Sequence, residues 1–172
     1  MRVKPAEIRT GRLCLRAMEE RDREDAVDLL TNEEVGRTYM VPQFPSREAA
    51  YPLFERLVSL SRAPERFVYG ICLEGRLIGF LNDVEIVGER IELGYVIHPA
   101  RKNNGYATEA LAAAMQALFA MGYARVRAGA FAENGASLRV MEKCGMTRLA
   151  EEEELEYRGV LHRCILCEAE AL

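Results

Sequence analysis

The sequence predicts a mixed α/β domain with its elements in the order β-α-α-β-β-β-α-β-α-β-β. Segments that alternate polar and apolar residues, as half-buried strands do, are interleaved with segments whose apolar residues recur at helical spacing. Glycine or asparagine stands at several of the joints, where helix ends and tight turns need them. No linker, repeat or low-complexity tract interrupts the 172 residues, a length suited to one domain, residues 1–172, with a full hydrophobic core.

The first strand is expected at Arg12–Ala17, where Leu13 and Leu15 alternate with polar neighbours. A helix follows from about Asp22 to Leu30, burying Ala26, Leu29 and Leu30. A second is expected from about Ser46 to Ser61, with Ser46 as N-cap and Leu53, Leu57 and Leu60 at helical spacing. Pro52 inside it argues for a late start or a kink. The intervening Tyr39–Pro45 stretch, rich in proline and aromatic residues, reads as a loop, either one that borders a substrate or simply an irregular connection. Phe67–Leu73 and Leu77–Ile86 form a hairpin about Glu74-Gly75-Arg76, and Ile91–Ile97 is the next strand. A helix from Gly105 to about Met121 presents Ala107, Leu111, Ala114, Met115 and Leu118 on one face, and Gly122 ends it. Arg125–Phe131 is a strand; Asn134 caps a short helix that Gly145 closes; two strands around Tyr157-Arg158-Gly159 finish the chain.

Hydrophobic residues make up 49% and charged residues 29%, which is globular composition. A net charge of −4 with no basic run excludes a nucleic-acid surface and leans towards a cationic partner such as an amine. No apolar run reaches the ~20 residues of a membrane span, and MRVKPAEIRTGR lacks the core of a secretion signal, so the expected location is the cytoplasm. Five cysteines without framework spacing fit core or surface thiols rather than disulfides. Cys164 and Cys167 lie three apart in a strand and so point to opposite faces, with no further pair to complete a metal site.

The most informative stretch is Gly94–Phe119: a strand, a turn rich in small and amide residues, then a helix. A helix opening on a glycine turn offers unpaired N–H groups and partial positive charge to a phosphate. Neither a P-loop nor a G-x-G-x-x-G dinucleotide fingerprint is present. The turn instead reads Lys102-Asn103-Asn104-Gly105-Tyr106-Ala107, followed by Thr108. It resembles the pyrophosphate loop of the GCN5-related N-acetyltransferases (GNAT), with Lys102 where that family carries Arg or Gln. A second match follows in the right order: Asn134, Ser137, Glu142-Lys143, Gly145 and Met146. Its Asn-x-x-Ser form is similar to the branch that acetylates the N-termini of ribosomal proteins (RimJ/RimL-like), as is the opening IRTGRLCLRAMEERD.

The resemblance implies a single GNAT-type domain whose central sheet is mixed, mostly antiparallel and flanked by helices. It implies acetyl-coenzyme A as co-substrate, no metal, and transfer of acetyl to a primary amine by direct attack in a ternary complex. The acceptor would be a small molecule or a protein N-terminus, and homodimers occur among relatives. The strand before the loop should splay at a bulge, freeing backbone near Tyr95, Val96 and Ile97 for pantetheine and the thioester carbonyl. The coenzyme site would then comprise these three residues, Lys102 through Thr108, Asn134 and Ser137. Many members place a general-acid Tyr before the Glu-Lys pair; here that position is Met141, whose thioether cannot donate a proton. Ser137, one helical turn earlier, is the candidate acid, or else an N3 serine bonding locally. The candidate general bases are Glu92, on the splaying strand, and Glu156, in the last hairpin. His98 is expected only to shape the turn before the loop. A different class also fits the motifs: a non-catalytic acyl-coenzyme A sensor or interaction module on the same scaffold.

Overall fold

The computed structural model describes residues 2–172. An eight-stranded sheet runs β1 (Glu7–Arg9), β2 (Leu13–Arg16), β3 (Tyr69–Leu73), β4 (Arg76–Val87), β5 (Arg90–Ile97), β6 (Arg125–Phe131), β8 (Val160–Glu170) and β7 (Thr147–Tyr157), in that spatial order. β5 and β6 are parallel, joined by the crossover helix α4 (Tyr106–Ala120), and the other pairings are antiparallel. The remaining helices are α1 (Arg23–Leu30), α2 (Glu33–Thr38), α3 (Tyr51–Arg62) and α5 (Gly135–Lys143). The architecture is the mixed, mostly antiparallel α/β fold that the resemblance implies.

Two apolar cores, one on each face, follow from alternation along the strands, reset on β4 by the extra residue Ile78 between Leu77 and Gly79. Ile91 and Leu93 of β5 and Val126 and Ala128 of β6 pack with Leu111, Ala114, Met115 and Leu118 of α4. Leu77 and Phe80 of β4 and Val96 of β5 pack instead with Ala26 and Leu29 of α1 and Phe54 and Leu57 of α3. Buried Asp22 accepts two hydrogen bonds from Arg16, at 2.8 and 2.9 Å, and so ties the start of α1 to β2.

Several expectations need adjustment. β1 and α2 were not anticipated: three and six residues are too few to carry a period. The helix expected from Ser46 begins at Tyr51, the late start that Pro52 argues for, with Pro52 in its first turn, where the missing N–H costs nothing. Ser46 is not the cap of this helix: it precedes the 3-10 turn over Glu48–Ala50, and its Oγ accepts from the Ala49 N–H at 3.2 Å. On α4 the buried residue is Ala110, and Ala107 is only partly covered. The bulge lies not on β5 but opposite it, where Val84 is the extra residue between Asp83 and Glu85 of β4.

The splay itself is present. β5 and β6 pair from Arg90↔Arg125 to Leu93↔Ala128 and then part. β6 stays with β8 as far as Phe131↔Cys164, while β5 stays with β4 as far as Ile97↔Gly79. A gap therefore opens through the sheet at Gly94 and Gly129.

Candidate active site

One end of the gap meets the N-terminus of α4. After β5, a 3-10 turn over Pro99–Arg101 is held by His98, whose Nδ1 accepts from the Ala100 N–H at 3.0 Å, so His98 does shape the turn. Asn103 (φ 61°) and Gly105 (φ 79°) are both left-handed, which folds the loop back onto the helix. Glu109 donates the first N–H into the α4 ladder, to Gly105 O at 3.0 Å. The N–H groups of Tyr106, Ala107 and Thr108 are left without helical acceptors. Cations stand nearby: Lys102, and Arg12, whose guanidinium lies 4.5 Å from the Tyr106 ring centroid and pairs with Glu109 at 2.7 Å. Open amides, a helix N-terminus and two cations make an environment for an anion.

A cleft of 620 Å³ extends from this loop through the gap to the opposite face of the sheet. Lys102, Asn103, Gly105, Tyr106, Ala107 and Thr108 line its first part. Asn104 does not; its Nδ2 donates to Arg101 O and Lys102 O, at 3.1 and 2.8 Å, and locks the loop from behind. The middle is formed by β5 from Gly94 to Ile97, by Gly129 to Phe131 of β6, and by Asn134 and Ser137. His98 N–H bonds to Ile78 O in the β4 register, so the alternation turns the Val96 N–H and C=O to β4 and those of Tyr95 and Ile97 to the gap. Of the three residues expected to free their backbone, Tyr95 and Ile97 do, whereas Val96 is held in the β4 ladder.

Ser137 sits in the first turn of α5. Asn134 caps that helix, its Oδ1 accepting from the Ser137 N–H at 3.2 Å. The Ser137 hydroxyl stands 2.7 Å from the Tyr95 hydroxyl, which is also 3.2 Å from the Ser137 carbonyl oxygen. Burial pushes the Tyr95 phenol well above the ordinary tyrosine range, offset in part by the bond to Ser137. Met141 is fully buried in the core beneath α5 and does not line the cleft.

The far face of the cleft is acidic. Glu92 points there from β5, with no hydrogen bond or ion pair to another of the described residues within bonding distance. Burial raises its carboxyl above the usual range, and the nearby Glu153 charge adds to the shift. Arg127, the cation that most opposes this shift, is already engaged by Glu168 and Glu151 at 3.0 and 3.1 Å. Of the two candidate bases, the structure brings only Glu92 into the cleft. In β7, Glu153 and Leu155 line the cleft, whereas Glu156 lies on the opposite face of the strand, exposed and paired in register with Leu161.

The cysteines offer no nucleophile. Burial raises all five thiols, Cys144 to about 11 and Cys72 to about 12. Cys164 faces the cleft and Cys167 the α4 core, the opposite-face arrangement that their spacing predicts. Among the described residues no three His, Cys, Asp or Glu side chains cluster to hold a metal ion. No helix among them is long and apolar enough to cross a membrane.

Tyr39, at the start of the loop expected to border a substrate, closes the far face with its hydroxyl on Asn82. Sequence reading missed four contributors: Arg12, which approaches the loop from β2's edge, Glu34 and Thr38 of the unanticipated α2, and Glu153. Glu153 was passed over inside an acidic run. Only Glu153 left a usable signal: strand alternation, counted from Tyr157, puts Glu153 and Glu156 on different faces.

Comparison with known proteins identifies the family. A sequence model of the family described as "Acetyltransferase (GNAT) domain" matches residues 12–147. The chain is 30% identical over 148 residues, 82% of each chain, to "Uncharacterized N-acetyltransferase YoaA" of Bacillus subtilis (strain 168). Among solved structures it is similar to a putative ribosomal-protein-serine acetyltransferase from Vibrio cholerae, with TM-score 0.81 and 21% identity over 96% of this chain and 97% of that one. It is also similar to the Microcin C7 self immunity acetyltransferase MccE, solved with acetyl-CoA and AMP, with TM-score 0.83 and 14% identity over 99% of both chains. This chain belongs to the acetyltransferase (GNAT) family, in the class of the N-acetyltransferases.

Proposed function

We propose that the protein binds acetyl-coenzyme A with its diphosphate on the Lys102–Thr108 turn and transfers the acetyl group directly to a primary amine. The observation that carries this reading is the gap at Gly94 and Gly129, which links the open amides of α4 to the acidic far face. A long, phosphate-bearing thioester could lie in such a passage from one side while an amine reaches its carbonyl from the other. The residues present fit that group: unpaired N–H groups at Tyr106–Thr108, cations at Lys102 and Arg12, and free backbone groups of Tyr95 and Ile97 along the passage.

Each step has a candidate group. An amine enters mostly protonated and must lose a proton before it attacks. Glu92, raised by burial and without a counter-ion, is suited to take it directly or through a water. A gap-facing N–H of β5 can stabilise the carbonyl oxygen as charge develops, a contribution of ~3–4 kcal/mol for one well-placed donor. Ser137, beside the passage, can protonate the departing sulfur. No covalent enzyme intermediate is needed, in keeping with five protonated thiols. The acceptor is a small-molecule amine or a protein N-terminus, and the carboxylates Glu92 and Glu153 favour one that carries positive charge.

Calorimetry with coenzyme A, followed by thiol release from acetyl-coenzyme A across an amine panel, tests the proposal. Binding with amine-dependent thiol release supports it. Binding without release on any amine would replace the enzyme with a sensor, and absence of binding would remove the coenzyme assignment altogether.

A further inference from the structure

We propose that Tyr95 is a positioning residue for Ser137: its hydroxyl donates to Ser137 Oγ and thereby turns the serine's own hydrogen into the cleft, towards the departing sulfur. The inference rests on the acetyl-transfer reading above and deepens it by assigning a role to a side chain that the motifs do not include.

Tyr95 and Ser137 are held by rigid elements. Tyr95 is in the β4–β5 ladder opposite Leu81, and Ser137 is fixed by the Asn134 cap at the start of α5. Each hydroxyl has one hydrogen to give, so two arrangements exist. In one, Tyr95 donates to Ser137 Oγ and the serine hydrogen is free. In the other, Tyr95 donates to the Ser137 carbonyl and the serine hydrogen is spent on the Tyr95 oxygen. The 2.7 Å contact between the hydroxyls serves both arrangements, but 3.2 Å to the carbonyl is long for an O–H···O bond, which favours the first. The Ser137 carbonyl also has an acceptor duty already, to the Met141 N–H within α5.

The first arrangement suits an acid. As Ser137 gives up its proton, charge builds on Oγ, and a hydrogen bond from Tyr95 lowers the cost. Burial keeps the Tyr95 phenol neutral near neutral pH, so it remains a donor throughout. The transfer balances: the amine nitrogen forms a bond to the acetyl carbon, and the C–S bond breaks with its electron pair going to sulfur. Ser137 protonates that sulfur, and the proton shed by the nitrogen returns to the serine through solvent. Tyr95 ends as a neutral phenol, as it began.

Tyr95→Phe keeps the ring and removes only the donor. Turnover should fall about fivefold, the value of one hydrogen bond of about 1 kcal/mol, with the KM for acetyl-coenzyme A unchanged. In a Ser137→Ala background the same change should cost nothing more. A second measurement needs no turnover. In Ser137→Cys, the pKa of the introduced thiol is read from the pH dependence of iodoacetamide alkylation, followed by mass spectrometry of the peptide bearing that position. Adding Tyr95→Phe should raise this pKa by ~0.5–1 unit, because the thiolate loses its donor. An unmoved thiol pKa, an unchanged turnover in Tyr95→Phe, or losses that multiply in the double variant would each overturn the proposal. If the wild type turns over no amine, the acetyl-transfer reading fails, and the thiol titration still decides whether Tyr95 donates to position 137.

Discussion

Glu34 on α2 and Lys102 in the turn before α4 form an ion pair of 2.7 Å between two walls of the cleft. Under the proposed function Lys102 meets a diphosphate, which would then compete with Glu34 for it. Both side chains are about half exposed, which limits the pair to a fraction of a kcal/mol up to ~1 kcal/mol. Glu34→Gln should therefore tighten coenzyme A binding by about two- to fivefold at low salt, and Lys102→Ala should weaken it. Calorimetry at two ionic strengths checks this, since the gain from Glu34→Gln should shrink as salt rises.

Gly105 is the backbone hinge of the loop, at φ 79° directly before α4. A side chain there must adopt left-handed backbone at a cost of about 1–2 kcal/mol, more for a β-branched one, and its Cβ would stand 3.4 Å from the Arg12 guanidinium. Gly105→Val should raise the KM for acetyl-coenzyme A at least tenfold while the KM for the amine changes little. Steady-state kinetics with each substrate varied in turn would show the split.

The pH dependence of turnover should follow Glu92. Burial, then repulsion from Glu153, raises its pKa, so the acidic limb of kcat/KM should lie above the ordinary carboxylate value of 4.5. Glu153→Gln removes the repulsion and should move that limb to lower pH. Glu156→Gln, on the outer face of β7, should leave it in place.

Stability should show the same group with a definite sign. Glu92 has a raised folded-state pKa, so between 4.5 and that value the native protein holds more protons than the unfolded chain. Stability then falls as pH rises through this window, and the ionised carboxylate remains a cost above it. Glu92→Gln should accordingly stabilise the protein at pH 7 and bring no such gain below pH 4.5, as urea titrations at the two pH values would report.

Met141 stands where the family resemblance leads one to expect a tyrosine, yet it is fully buried under α5 and makes no part of the cleft wall. Met141→Ala should behave as a core truncation, costing about 2–5 kcal/mol in urea unfolding. Activity per folded molecule should change far less than in Ser137→Ala.

The two motif segments were legible because each is local. Asn103 and Gly105 are residue types that accept the left-handed backbone this turn adopts, and Asn134 finds its acceptor role three residues on, at Ser137. The longer helices and strands were legible for a related reason: their apolar periods state which face is buried. β1 and α2 were not, since a three-residue strand and a six-residue helix owe their existence to neighbours rather than to period.

By its own pattern the chain determined the order of the long elements, the turn that opens α4 and the cap that holds Ser137. The tertiary structure alone decided which carboxylate enters the cleft, that Tyr95 meets Ser137 across 42 positions, and that Glu34 reaches Lys102. Backbone propensity and capping act within a few residues of sequence, whereas hydrogen bonds, ion pairs and pKa shifts depend on distances in space. Those distances exist only once β5 and β6 have parted and the helices have docked on either face.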